Sequence, residues 1–252
     1  MSAHPDALIR YVAEAIGRAR ASDAPFFHLE FNRIVPDDVY AAMLQTMPGN
    51  ESYRAMAGRS RDRRTDGRST RVKLDLLPEY TRRLAPVWDQ VGRALTSRAV
   101  QDAFVRRLEP GMRRRFGDDF TAVGLYPIPI LTRDIAGYHI APHTDTKWKG
   151  ITVQIYLPRD DRLANIGTVF HTADDRGRLS RASQMRFAPN SGYAFAVGDD
   201  TWHSVDRLGD EVETRDSILL TYFVDAGWFR FLRNRAKRAG NLVEHWLRLA
   251  RR

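Results

Sequence analysis

The chain has 252 residues, no cysteine, 43% hydrophobic and 28% charged residues, and a formal net charge of +9. That length can bury a sizeable core, and a single domain over residues 1–252 is expected, because all-β barrels and sandwiches of this size are often one unit. The lack of cysteine excludes disulfides, thiolate metal sites and cysteine nucleophiles, and makes a reducing cytoplasm the expected compartment.

No apolar run approaches the roughly 20 residues of a membrane span. The opening MSAHPDALIRYVAEAIGRAR carries Asp6 and Glu14 and has no signal-peptide core, so neither export nor a membrane partner is expected. The positive charge is mostly arginine, with lysine only at Lys73, Lys147, Lys149 and Lys237. Such a balance suits nucleic acid, an acidic small substrate or an acidic carrier protein; solvated arginine is the plainer reading.

In chain order, residues 6–20 place Leu8, Ile9, Val12 and Ile16 on one helical stripe. PFFHLEF (25–31) reads as a strand, and VPDDVYAAMLQTM (35–47) as a helix with Pro36, Asp37 and Asp38 in its first turn. Residues 48–72, rich in Gly, Ser and Arg, read as a mobile loop suited to a substrate lid. Helices are expected near 78–97 and 98–109, then a basic turn, GMRRRFGDD (111–119).

From Phe120 the texture becomes β: FTAVGLYPI, GITVQIYL, IGTVFHT, MRFAP, GYAFAV, WHSV and DSILLTYFV. Their spacing is that of antiparallel strands in a barrel or sandwich. PNSG (189–192) reads as a hairpin turn. After Gly227 the pattern returns to a basic helix, with Trp228, Phe231, Leu232, Val243, Trp246 and Leu247 among its charges. It is expected to pack on the barrel or on a second subunit, as in a homodimer. The predicted fold class is mainly β with α: a helical N-terminal part (1–119), a β core (120–226) and a C-terminal helix (227–252).

Within YHIAPHTDTKWKGITVQIYLP (138–158), His143 and Asp145 flank one threonine, a spacing that puts both on one face of an extended segment. His203 lies in DDTWHSVD. Two histidines and one carboxylate are the ligand set of a facial triad for non-heme Fe(II), which leaves three open coordination positions. A structural zinc site would call for a fourth ligand. Arg215 opens RDSILLTYFV and Ser217 shares its face, a pair able to clamp a carboxylate.

The set HTD (143–145), WHSV (202–205) and RDS (215–217) resembles the Fe(II)/2-oxoglutarate-dependent dioxygenases, whose core is a double-stranded β-helix, or jelly roll. The resemblance covers roughly residues 126–225. It implies that His143, Asp145 and His203 ligate Fe(II), and that Arg215 and Ser217 bind the distal carboxylate of the cosubstrate 2-oxoglutarate. Tyr156 matches a cosubstrate-binding tyrosine of prolyl-hydroxylase-like members, with Tyr126 as a rival. It further implies use of dioxygen, release of succinate and carbon dioxide, and hydroxylation of a substrate.

Asp145 stands where related halogenases have a small residue, which argues against halogenation. Thr221 stands where nucleic-acid demethylases carry a second arginine, which argues against a nucleic-acid partner. The expected substrate is a small, anionic molecule. The alternatives are hydroxylation of a protein residue or a carrier-tethered substrate, a cupin-like metal enzyme without 2-oxoglutarate, and a basic binding module with no activity.

Around the triad, His139 and His171 read as structural histidines close to the cavity. Trp148 and Trp202 read as core packing, with substrate stacking as the alternative. Lys147 and Lys149 read as solvated or as contacts to an anionic substrate. The sequence contains no phosphate-cradling P-loop, no GxSxG elbow and no GxGxxG.

Overall fold

The structure, a computed structural model, describes residues 5–56 and 69–225. The expected C-terminal helix and the middle of the expected lid, residues 57–68, lie outside the described residues.

Among the described residues, twelve strands form two antiparallel sheets. The larger runs, edge to edge, Arg20–Ser22 (β1), His28–Asn32 (β2), Ser191–Ala196 (β10), Lys149–Tyr156 (β7), Arg215–Val224 (β12), Leu125–Asp134 (β5), Arg71–Asp75 (β4) and Arg54–Ala55 (β3). The smaller runs Ile140–His143 (β6), His203–Val205 (β11), Val169–Ala173 (β8) and Leu179–Gln184 (β9). This is the predicted jelly-roll core.

Strand β12 organises the larger sheet, pairing with β5 along its whole length from Arg215↔Asp134 to Val224↔Leu125, and with β7 on its other side. Alternation along these strands separates two layers. Ile151, Val153, Ile155, Ile218, Leu220 and Tyr222 point outward into a core shared with the helices. Tyr156, Tyr193 and Phe195 point inward and pack with Phe26, Phe170 and Phe187 between the sheets.

The helices cover the outer layer, as expected. In Pro5–Gly17 (α1) the stripe Leu8, Val12 and Ile16 is buried, and the helix packs on Pro86–Thr96 (α4) and Arg98–Arg107 (α5). Trp88, on α4, is fully buried and donates its indole N–H to the Thr46 carbonyl, just after Asp37–Gln45 (α2). The single helix expected over 78–97 is divided into Pro78–Thr81 (α3) and α4, because Pro86 starts a new helix and cannot continue the old one.

Four expectations are corrected. The basic turn at 111–119 is largely helix, Glu109–Phe116 (α6), seated by buried Met112, with Pro110 in its first turn. The expected loop 48–72 contains strand β3 and the start of β4; β4 pairs with β5, and β3 pairs with β4 at the sheet edge. MRFAP is not a strand; the polar LSRASQ before it forms β9 and pairs with β8. PNSG is a turn but not a hairpin, because it carries the chain out of the smaller sheet into β10 of the larger. Asn190 in that turn has φ 56°, and its side chain donates to the Val35 carbonyl at 2.8 Å while accepting from the Val35 N–H at 3.1 Å. The turn thereby anchors the N-terminal segment to the barrel.

Candidate metal and oxoacid site

Strands β6 and β11 are short, and their pairing sets His143 directly opposite His203. The two ring centroids are 4.3 Å apart. Asp145 follows in the turn leading to β7. One ligand atom from each of the three residues lies within 4.8 Å of the others, so a single ion can touch all three. The structure brings together the three residues that the sequence singles out.

Both imidazoles are oriented from behind. Nδ1 of His143 faces the Ala141 carbonyl at 3.0 Å, and Nδ1 of His203 faces the Thr201 carbonyl at 2.9 Å. A carbonyl only accepts, so each ring carries its proton on Nδ1 and its lone pair on Nε2, the tautomer a metal requires.

Burial pushes His203 down to about 4, against the opposing pull of Asp145 and with a further push from His143. The ring is therefore neutral at pH 7. Burial alone would raise Asp145, but the positive charge of Lys149 and hydrogen bonds from Lys149 and Thr152 outweigh it and hold the carboxyl at about 2. The lysine Nζ donates to Oδ1 at 2.5 Å and the Thr152 hydroxyl to Oδ2 at 2.6 Å. A carboxylate has about four lone-pair sites, so these two bonds leave room for a metal.

Helix α6 braces the turn. Arg115 donates to the carbonyls of Lys147 and Lys149 and, at 2.6 Å, to that of Val197. A cavity of about 550 Å³ opens beside Asp145, with Phe26, Arg114, Arg115, Lys147, Val197 and Asp199 in its wall.

The inner face of β7 leads from this triad to the second half of the site. Thr152 bonds Asp145, Gln154 donates to the Ser217 hydroxyl at 2.5 Å, and Tyr156 packs beside Arg215, its ring 5.5 Å from the guanidinium. Thr152 and Tyr156 are four residues apart, roughly 13 Å along a strand.

Arg215 is 1% exposed. Its Nε donates to the Ile166 carbonyl at 2.9 Å and its Nη1 to Asp134 at 2.8 Å, while its buried Nη2 has no hydrogen-bond partner in the protein. A buried cationic donor with no acceptor is costly and fits an anionic ligand. Ser217 shares that face, with its hydroxyl engaged by Thr132 at 2.9 Å as well as by Gln154. The Tyr156 hydroxyl donates to Thr168 Oγ1 at 3.0 Å, as does that of Tyr193.

Tyr126 is not near Arg215. It lies at the other end of β5, opposite Phe223, and stacks on that ring.

The surrounding residues depart from expectation in places. Trp148 is 53% exposed rather than packed, whereas Trp202 is half-buried. Lys149 is neither solvated nor turned to an outside anion, since it binds Asp145, while Lys147 is exposed near Asp199. His171 Nε2 lies 2.8 Å from the Ser204 hydroxyl, and burial lowers its affinity for a proton. His139 is half-buried, its Nδ1 3.4 Å from the Gly137 carbonyl. Sequence reasoning missed Asp134, Thr152, Gln154 and Thr168, and read Arg71 only as one of the arginines of the loop 48–72, able to meet phosphate or carboxylate. Their signal lies in strand register, which single positions do not display.

No protein-family model matches the sequence, and no curated protein matches it. Solved structures do. A prolyl-4-hydroxylase from Pseudomonas putida superposes with a TM-score of 0.52 at 14% identity, covering 85% of this chain and 98% of the other. A prolyl hydroxylase from Trichoplax adhaerens, in complex with a hypoxia-inducible-factor peptide fragment, gives 0.51 at 12% identity, covering 87% and 90%. With the paired sheets, these likenesses show that the chain has the jelly-roll fold of the 2-oxoglutarate/Fe(II) oxygenases.

Proposed function

We propose that the protein is a 2-oxoglutarate-dependent dioxygenase that hydroxylates a small, anionic molecule. The carrying observation is the convergence of His143, Asp145 and His203 at one end of the β7 inner face, with the unmatched Arg215 donor at the other. His143, Asp145 and His203 would hold Fe(II). Arg215 would take the distal carboxylate of 2-oxoglutarate, with Tyr156 and Ser217 on the same wall. A five-carbon diacid would meet the metal at one end and Arg215 at the other.

The donor set suits the metal: imidazole and carboxylate are ligands for ferrous iron, and three of them leave positions open. When bound, iron and 2-oxoglutarate supply dioxygen activation coupled to release of succinate and carbon dioxide. The chain's own residues orient and exclude. The Ala141 and Thr201 carbonyls fix both imidazoles, and Lys149 and Thr152 keep Asp145 ionised. The aromatic layer of Phe26, Phe170 and Phe195 keeps the interior beside His203 apolar. The net charge of +9 supports an anionic substrate, while the cavity wall itself is balanced, with Arg114 paired to Asp200 and Lys147 close to Asp199.

A second reading is hydroxylation of a protein residue. It rests on the likeness to two prolyl hydroxylases, one of them in complex with a peptide.

The test is succinate formation from 2-oxoglutarate with Fe(II), alone and with panels of small acids and of prolyl peptides. Turnover lost in both Asp145→Ala and Arg215→Ala supports the function. Turnover indifferent to Arg215→Ala rejects it. The panel that stimulates turnover decides between the two substrate classes.

A further inference from the structure

Arg71, Asp134 and Arg215 occupy one row across three neighbouring strands: Arg71 of β4 opposes Asp134 of β5, which opposes Arg215 of β12. Arg71 donates to Asp134 through Nε at 2.5 Å and through Nη2 at 2.8 Å, and Arg215 Nη1 donates to the same carboxylate at 2.8 Å. Asp134 is fully buried, Arg215 is 1% exposed and Arg71 9%. The Arg71 guanidinium lies 4.2 Å above the Tyr138 ring, which fixes it in place.

Two cations and one anion leave this buried row with a net charge of about +1. Buried charge is costly unless paired. With Asp134 shared, Arg215 Nη2 is the donor left without an acceptor. A bound monoanionic group at that donor would close both accounts, the hydrogen bond and the charge.

We propose that Arg71 is a second cation of the distal-carboxylate pocket: it neutralises Asp134, so that Arg215 keeps its charge for the ligand. This rests on the 2-oxoglutarate reading above. Arg71 acts through Asp134 and is a positioning residue. Without it, Asp134 and Arg215 form a neutral pair, and a carboxylate entering the pocket brings the buried row to a net charge of about −1.

The experiment is calorimetric binding to the full chain loaded with Mn(II), using 2-oxoglutarate and 2-oxopentanoate, which lacks the distal carboxylate. Arg71→Met is expected to weaken 2-oxoglutarate at least tenfold and to leave 2-oxopentanoate within about threefold; Arg71→Lys restores most of the loss. The double variant Arg71→Met/Asp134→Asn removes one charge of each sign and is expected to recover 2-oxoglutarate binding to within about threefold of wild type. That recovery decides the matter even if Arg71→Met alone does not fold.

Equal weakening of both ligands, unchanged 2-oxoglutarate binding in Arg71→Met, or a double variant weaker than the single would overturn the proposal. If wild type binds 2-oxoglutarate and Arg215→Met abolishes this while Arg71→Met does not, only the role of Arg71 fails. If wild type binds none, the cosubstrate reading fails with it.

Discussion

His143 and His203 face each other as direct partners across the β6–β11 ladder, and each is held by a main-chain carbonyl two residues before it. Two imidazoles this close, His203 buried and His143 half-buried, are tolerated because the site keeps His203 neutral.

The first prediction concerns pH. Histidine titrates ordinarily near 6.5, and burial lowers His203 to about 4 in the folded protein. Between these values the unfolded chain binds a proton that the folded chain refuses. Stability of the metal-free protein therefore rises with pH through this window and is lost as pH falls. His203 accounts for a loss of roughly 2 kcal/mol between pH 7.5 and pH 5. Urea denaturation at the two pH values should show that extra loss in wild type and its absence in His203→Asn; parallel behaviour of the two proteins would contradict it.

The second concerns the hydroxyl that two tyrosines share. Thr168 Oγ1 accepts from both Tyr156 and Tyr193, and all three residues are buried. Thr168→Val keeps the shape and strands two phenolic donors. A destabilisation of about 2 kcal/mol is expected in chemical denaturation, because unmatched buried donors lose their partner without regaining water. A change below 0.5 kcal/mol would show that the tyrosines find other acceptors.

The third concerns the turn that changes sheets. Asn190→Ala removes both bonds to Val35 and places alanine at φ 56°. A loss of about 2–3 kcal/mol is expected. Asn190→Gly, which relieves the backbone but not the lost bonds, should fall between alanine and wild type. Equal stability of the glycine and alanine variants would remove the backbone part of the account.

The fourth concerns Trp148, whose ring is half exposed beside the triad. Trp148→Ala should change stability by no more than about 0.5 kcal/mol, as is usual for a surface position. A loss above 2 kcal/mol would restore the packing role suggested by its sequence context.

The strongest chemical signals were legible because they are local or carried by rare residue types. His143 and Asp145 sit two apart, and Arg215 and Ser217 share a strand face with an obvious β pattern. The jelly-roll strands were legible where β-branched and aromatic residues are buried on both faces, as in β7 and β12.

What could not be read depends on register or on exposure. Asp134 and Arg71 matter through the strands opposite them, 81 and 63 residues away along the chain between the bonded pairs. LSRASQ forms a strand although it is polar and largely exposed, because its backbone completes β8 rather than because its side chains need burial. MRFAP has the composition of a strand, but Met185 and Phe187 bury their side chains in a non-strand connection. Helix α6 was hidden by its arginines; its single buried anchor, Met112, gives little periodic signal.

The claim on which the rest depends is that three side chains share one ion. Anaerobic calorimetric titration with Fe(II), or with Mn(II) as a redox-stable substitute, measures this directly. One ion per chain in wild type, weakened more than about 100-fold in Asp145→Ala and in His203→Ala, is the predicted result. Binding of the same strength and stoichiometry in those variants would contradict it.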